Sequence, residues 1–488
     1  MEHYPVVVMG GGPAGLTAAY ELMKKDIKSI VIEQLDKVGG IARTEIYQGY
    51  RFDIGGHRFF TKVTEVEDLW KEILGDDFIQ VPRLSRIYYQ GKFYNYPLSI
   101  SNTLSNLGIV SSFLILLSYL KARVLARLNP NNKLETFEDW VSDRFGGRLY
   151  RTFFKTYTEK VWGIPCDKIE AEWAAQRIQG LSLKKAVINA LFGSNDTKTL
   201  IKKFDYPRLG PGMMWERCQD MLNEQGNPVL LNTKVTKITR NDLHIQSITL
   251  ENESGIWEIT GDNFVSTLAI TALVLKMDPP APPEVIAAAK SLSYRDFLIV
   301  SLIVKQPDLF PDNWIYIHSP EVKVGRIQNF KNWSPQMVPD PNKTCLGMEY
   351  FCTVGDEIWQ KSNEELIALA TKELAELGLA QALDVEDGTV IRQPKAYPVY
   401  DRDYRQHLQV IQDFITSFDN LQTVGRNGMH RYNNQDHSML TAMLAAKNIL
   451  GEKHDLWNVN TERSYHEEFT KEEWEQRQAI ENSGLQDV

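Results

Sequence analysis

Apolar residues are arranged in three patterns along this chain, and their order predicts its architecture. Short unbroken runs open it. Val6-Val-Val-Met9 stops at a glycine and gives way to a small-residue, helix-like stretch, and Ser29-Ile-Val-Ile-Glu33 then ends on an acid. Between 61 and 205 the pattern turns mostly helical, with segments at Val66–Leu74, Leu107–Leu120, Phe137–Tyr157 and Ala171–Phe192. Strand-like runs return at Val229–Thr239, Ile245–Leu250 and Asn263–Leu268, and after the proline cluster Pro279–Pro283 at Phe297–Val304, Trp314–His318 and Thr344–Cys352. A helix at Asn363–Leu377 leads to Tyr397-Pro-Val-Tyr400, and the last apolar periodic run is Met439–Leu450. The expected fold is α/β. A Rossmann-like nucleotide domain is assembled discontinuously from 1–60, 206–280 and 420–455. It carries a mainly helical subdomain over 61–205 and a mixed or antiparallel sheet domain over 281–419, with a charged tail at 456–488.

Composition narrows the function classes. The chain has 488 residues, 43% of them hydrophobic, which is enough for about two to four domains with sizeable cores. Its net charge of −9 gives no global case for binding nucleic acid or an anionic membrane. Cys166, Cys218, Cys345 and Cys352 lack C-x-x-C spacing, and the histidines show no ligand pattern, so buried thiols are expected and no metal site. The first strand begins almost at residue 1, and a cytosolic protein without a signal peptide is expected. The apolar run Leu107–Leu120 has 14 residues, against the roughly 20 that a span requires, and is expected as a buried core helix rather than a transmembrane segment. Nothing in the chain indicates its oligomeric state.

The chemistry begins at Gly10-Gly-Gly12-Pro13-Ala14-Gly15, placed between strand and helix. Gly10 permits the turn, Gly12 lets backbone approach a pyrophosphate, and Gly15 lets helix pack on strand; Glu33 can hold ribose hydroxyls, with Gln34 beside it. An acid in that position argues against a 2′-phosphate, hence against NADP as the resident nucleotide. An NAD-binding unit would continue into another crossover helix. This chain instead places Val38-Gly39-Gly40-Ile-Ala-Arg43 and then Gly55-Gly56-His57 directly afterwards, suited to the pyrophosphate and ring of a longer cofactor, FAD. Val235 is a candidate backbone contact to adenine. Far downstream, Gly425-Arg426 through Tyr432, Asn434, Gln435 and Ser438 precede a helix, whose N-terminal end and arginines suit a flavin and a phosphorylated ligand.

This succession resembles the FAD-binding fold of amine oxidases, protoporphyrinogen oxidases, phytoene desaturases and UDP-galactopyranose mutases. Lys160-Val-Trp162, Trp173, Arg177, Gln90-Gly-Lys-Phe-Tyr-Asn-Tyr96-Pro, Phe204-Asp-Tyr-Pro-Arg208, Arg326 followed by Asn-Trp-Ser-Pro335, Tyr397-Pro and Asn434-Gln-Asp-His-Ser438 extend the likeness specifically to the mutases, the longer eukaryotic type above all. Amine oxidases typically carry Gly-Asp where this chain has Gly425-Arg426. The resemblance implies that Arg177 and Arg326 grip a sugar-nucleotide pyrophosphate, with Tyr397 and Tyr432 donating hydroxyls. It implies that Asn434 meets the sugar and Arg426 the flavin, that Tyr96, Tyr316 and Trp162 line the substrate, and that His57 sits beside the isoalloxazine. His57, Arg177 and Arg326 are the candidate catalytic residues. The implied reaction is a pyranose–furanose mutation in which reduced FAD uses N5 as nucleophile at the anomeric carbon, without net redox and with NAD(P)H only as external reductant. An FAD-dependent oxidase or desaturase is the alternative. Ser99, Arg58 after His57, and the short Tyr432–Asn434 spacing depart from the mutase pattern and bear on base and sugar identity.

Overall fold

The computed structural model describes residues 1–96, 98, 100–129, 133–171 and 203–459. Trp173, Arg177, Ser99, most of the expected helix Ala171–Phe192 and the tail from 460 onward lie outside the described residues.

The unbroken apolar runs become the centre of an eight-stranded sheet. Glu2–Met9 lies between Ser29–Ile32 and Gly255–Ser266, parallel to both, and Leu421–Thr423 adds a further parallel strand on Gly255–Ser266. The crossover helix Pro13–Met23 covers this centre, and Val6, Val7, Val8 and Met9 are wholly buried. A side chain of that size contributes about 1.5–3 kcal/mol on burial. Strand polarity puts the carboxyl ends of Glu2–Met9 and Ser29–Ile32 at the same edge, where ligands sit in open α/β sheets.

Alternating strands build a second, seven-stranded sheet in the order Val385–Pro398, Tyr294–Val304, Thr344–Cys352, Arg326–Asn329, Trp314–Ile317, Ser85–Tyr89, Lys92–Asn95. Its register sets Arg326 opposite Glu349 on one side and opposite Tyr316 on the other. The proline cluster leads straight into the helix Pro283–Ser291. This helix packs on Tyr404–Thr416 and shares the core of the first sheet through Val285, Ala288, Ile411 and Ile415. All four cysteines are buried with free thiols.

Two helical expectations are corrected. The single helix expected over Phe137–Tyr157 is broken. Thr136 and Asp139 cap a helix Phe137–Phe145, and Gly146 then turns at φ +85° where the backbone of Ser118 and Tyr119 lies against it; a Cβ there would meet Tyr119 N at 2.7 Å. The chain resumes as helical turns from 147 to 162, with a π segment at Tyr150–Lys155. The apolar run expected in the core is also placed differently. It forms the helix Ile109–Leu128, in which Ile115 is the buried residue and most large aliphatic side chains are exposed. Hydropathy alone does not say what covers a helix, and here a 20-residue helix is apolar enough, by length and composition, to cross a membrane.

Candidate functional site

At the carboxyl edge of the first sheet the chain folds three loops against each other. Gly10 N donates to Ile32 O at 2.8 Å, and Gly39 N to Gly11 O at 2.8 Å, which ties the loop of Gly39, Gly40 and Arg43 to the first turn. A Cβ on Gly15 would lie 1.9 Å from Gly10 O, so helix and turn are in contact there. At Gly12 a Cβ would meet nothing nearer than the Gly40 backbone at 3.8 Å, leaving backbone-walled space at the start of a helix that has Pro13 in its first turn and no side-chain cap. That space and its oriented N–H groups suit a pyrophosphate. Glu33, buried at the end of its strand, accepts from Gly11 N at 2.7 Å and Leu35 N at 2.9 Å and keeps lone pairs for ribose hydroxyls. Burial raises its pKa, against the opposing pull of those backbone donors. Exposed Gln34 follows it, and Thr233 N, two residues before Val235, donates to Glu33 O at 2.9 Å. Gly425 reaches the same place from the other end of the chain, with Ala14 Cβ 3.0 Å from where its own would be. The residues present therefore fit a dinucleotide cofactor.

Beyond this edge, toward the second sheet, lies a cleft of aromatic rings and arginines. Arg426 donates to Asn433 O at 2.9 Å and Ala396 O at 3.2 Å, and its guanidinium lies 4.9 Å from the Tyr432 ring and 5.4 Å from Tyr397. Those two rings stack 5.6 Å apart at 14°, and Trp162 packs 6.4 Å from each. Asn434 and Gln435 open the helix Gln435–Ile449; Trp215 Nε1 donates to Gln435 Oε1 at 3.3 Å, and Ser438 N donates to Asn434 O at 3.0 Å. On the opposite side, Gly55 and Gly56 lie against Arg326 and Gln328, which brings His57 into the same wall. Arg326 Nε donates to Glu349 Oε2 at 2.5 Å, and Gln328 Nε2 to Glu349 Oε1 at 2.8 Å. Tyr316, across the strand from Arg326, is 5.0 Å from Tyr96 and 5.6 Å from Tyr157.

Four residues here were not singled out from sequence as site residues. Glu349 is fully buried and neutralises Arg326; an acid inside the apolar strand Thr344–Cys352 was the available signal. Trp314 carries two arginines, Arg58 at 5.1 Å and Arg83 at 5.4 Å, and Arg83 also lies 6.0 Å from Tyr96. Arg83 Nε and Nη2 are buried without a hydrogen-bond partner among the described residues. Arg58 was visible as a departure from the mutase pattern, whereas Arg83 had no signal. Burial, and Arg83 next to it, hold the Arg58 guanidinium down at about 10, and burial with Arg426 and Arg326 lowers His57 to about 3. His57 is therefore a neutral imidazole at physiological pH. Its Nδ1 is buried without a partner among the described residues.

The sequence profile described as "Flavin containing amine oxidoreductase" matches residues 13–411. The chain belongs to that family. Within this flavin-containing family its fold matches a crystal structure of reduced UDP-galactopyranose mutase at a TM-score of 0.80, with 22% identity over 94% of this chain and 98% of the other. Putrescine oxidase bound to putrescine superposes at 0.63, with 17% identity over 92% and 99%. A dTDP-fucopyranose mutase of Escherichia coli is 26% identical over 244 residues, 49% of this chain and 59% of the relative. AofH of Mycobacterium tuberculosis, which carries a flavin-containing monoamine oxidase name, is 25% identical over 289 residues, 57% of this chain and 60% of the relative. The chain thus spans about three fifths of the length of these curated relatives.

Proposed function

We propose that this flavin-family member is an FAD-dependent sugar-nucleotide pyranose–furanose mutase. The observation that carries the reading is the charge of the cleft. Arg58, Arg83, Arg326 and Arg426 line it, and Glu349 is spent on Arg326. The aromatic faces of Tyr397 and Tyr432, the surfaces on which an amine could sit, already carry a guanidinium. A cationic amine meets like charge there, while a nucleoside diphosphate meets arginine forks. The oxidase reading has the family membership and AofH in its favour, and lacks a carboxylate free to hold an amine among the cleft residues described above.

Reduced FAD, when bound, supplies the nucleophilic N5 for the sugar's anomeric carbon, and NAD(P)H is the proposed external reductant. Gly10, Gly12 and the start of the helix Pro13–Met23 would hold its pyrophosphate, Glu33 its ribose, and the helix Gln435–Ile449 would direct its positive end at the ring. Arg326, fixed by Glu349, and Arg177 would grip the diphosphate, while Arg83, with two nitrogens unpartnered among the described residues, would add positive charge beside Arg58. Keeping the leaving diphosphate in place makes its return intramolecular. Tyr96 and Tyr316 would stack along the nucleoside, and Asn434 would meet the sugar. His57, neutral and half-buried, would act as a hydrogen-bonding group in the wall rather than as a cation.

The test is anaerobic incubation of dithionite-reduced protein with UDP-galactopyranose and dTDP-fucopyranose, followed by product analysis. The reading predicts a furanose product with no stoichiometric consumption of oxygen or NAD(P)H. Oxidation of an amine, porphyrinogen or polyene with one peroxide released per two electrons removed would replace it with the oxidase reading.

A further inference from the structure

The helix Ile109–Leu128 divides along its length. One side faces the protein. Ile115 is buried, Ser118 Oγ accepts from Arg148 N at 3.1 Å, Arg123 pairs with Asp143 at 2.9 Å, and the Ser118–Tyr119 backbone lies against Gly146. The other side, about half the circumference at 100° per residue, is aliphatic and exposed: Ile109 at 90%, Phe113 at 59%, Leu117 at 45% and Leu120 at 50%, continued by Val124 and Leu128. A contiguous face of this kind is not what an isolated soluble surface presents.

Charge says what covers it. From Phe78 to Leu134 the chain has no aspartate or glutamate and seven lysines and arginines, in a protein whose net charge is −9. Exposed Lys121 and Arg127 rise from the apolar stripe itself, long enough to keep their charges in a headgroup layer while their stems lie among acyl chains. A second copy of the same stripe would bring cation against cation. A protein groove would be expected to meet aromatic anchors, and here the face is almost wholly aliphatic. We infer that Ile109–Leu128 seats the protein on an anionic lipid surface, lying in the plane of the interface.

Length alone would also allow a crossing, since 20 residues at 1.5 Å span about 30 Å. Packing rules this out. The middle of the helix is held against Phe137–Phe145 and Gly147–Leu149, whose Asp143, Arg144 and Arg148 would be drawn into hydrocarbon by a spanning orientation. A helix bound on one side and apolar on the other lies on a membrane. The preceding helix Ile100–Leu107 is clamped to the strand Lys92–Asn95 by Asn106 Nδ2 donating to Phe93 O at 2.8 Å and by Asn95 N donating to Asn102 Oδ1 at 2.9 Å. Tyr96, which packs 5.0 Å from Tyr316 in the aromatic cleft, follows that strand directly.

The experiment is cosedimentation of the purified full chain with vesicles of phosphatidylcholine, with or without about one third phosphatidylserine. The chain should pellet with the phosphatidylserine vesicles and bind them less as salt rises. Phe113→Glu with Leu117→Glu should lower the partition coefficient about tenfold or more, with the thermal melt unchanged because both side chains are exposed. Lys121→Glu with Arg127→Glu should remove the preference for phosphatidylserine. A chain that stays in the supernatant with both vesicle types overturns the inference. So does a stripe variant that only converts a dimer to a monomer in light scattering, which would assign the face to a second copy. Equal binding to both compositions, unaffected by Lys121→Glu with Arg127→Glu, overturns the anionic surface.

Discussion

Arg326 and the Arg58–Arg83 pair lie in one cleft and hold their charge in opposite ways. Arg326 is locked to a fully buried carboxylate that Gln328 also grips, so its fork is rigid and its charge is cancelled at once. Arg58 and Arg83 rest on the faces of Trp314, where burial and the neighbouring Arg83 disfavour the Arg58 charge, with two buried nitrogens of Arg83 unpartnered among the described residues. The difference separates two jobs that residue type alone cannot distinguish. A paired arginine positions an anion, and a pair of like-charged arginines attracts one.

The sharpest way to break the comparison is to remove the carboxylate. Glu349→Ala leaves the Arg326 charge buried without its partner, and the unfolding free energy in urea should fall by about 3–5 kcal/mol. A loss below about 1 kcal/mol would mean that the pair behaves like a surface ion pair, and the distinction between the two sites would go.

Between the two sites, His57 reports the local field. Its folded value of about 3 lies below the ordinary 6.5, so an unfolded chain takes up a proton that the folded chain refuses. The stability from neutral His57 is complete above pH 6.5 and is lost as pH falls through 6.5 toward 3. From pH 6.5 to pH 4, wild type should lose up to about 3 kcal/mol more than His57→Gln, read from urea midpoints at each pH. Parallel pH profiles would show that neither burial nor Arg426 and Arg326 hold the ring neutral.

The smallest expected effect is on affinity. Arg83→Ala should weaken UDP binding by about 10- to 100-fold, roughly 1.4–2.8 kcal/mol, with flavin content and stability close to wild type. Arg83→Lys should recover part of this, because a point charge attracts the diphosphate but does not reproduce the fork. Equal UDP affinity in wild type and Arg83→Ala would leave Arg83 a packing residue on Trp314.

What could be read from the sequence follows how local each determinant is. The turn at Gly10–Gly15 and the acid at Glu33 are set within one strand–helix–strand unit, and the structure brings them together as that unit requires. Arg326, Tyr397, Tyr432 and Trp162 were grouped through a family likeness, and the fold gathers them in one cleft; their roles are proposals. Glu349 and Arg83 escaped because their partners come from sheet register and from a distant strand, which spacing along the chain does not encode. The run Leu107–Leu120 was misplaced for a related reason: its apolarity was plain, but a core and a lipid surface look alike to hydropathy. Only the fold shows that one side rests on Gly146 and the other on nothing among the described residues.

The central claim is that the cleft selects an anion. Its most direct test is a titration of the oxidised holoprotein, following flavin fluorescence, with UDP and with the diamine putrescine at two salt concentrations. The account predicts saturable UDP binding that weakens with salt and no response to putrescine. Saturable putrescine binding, with reduction of the flavin and no response to UDP, would contradict it.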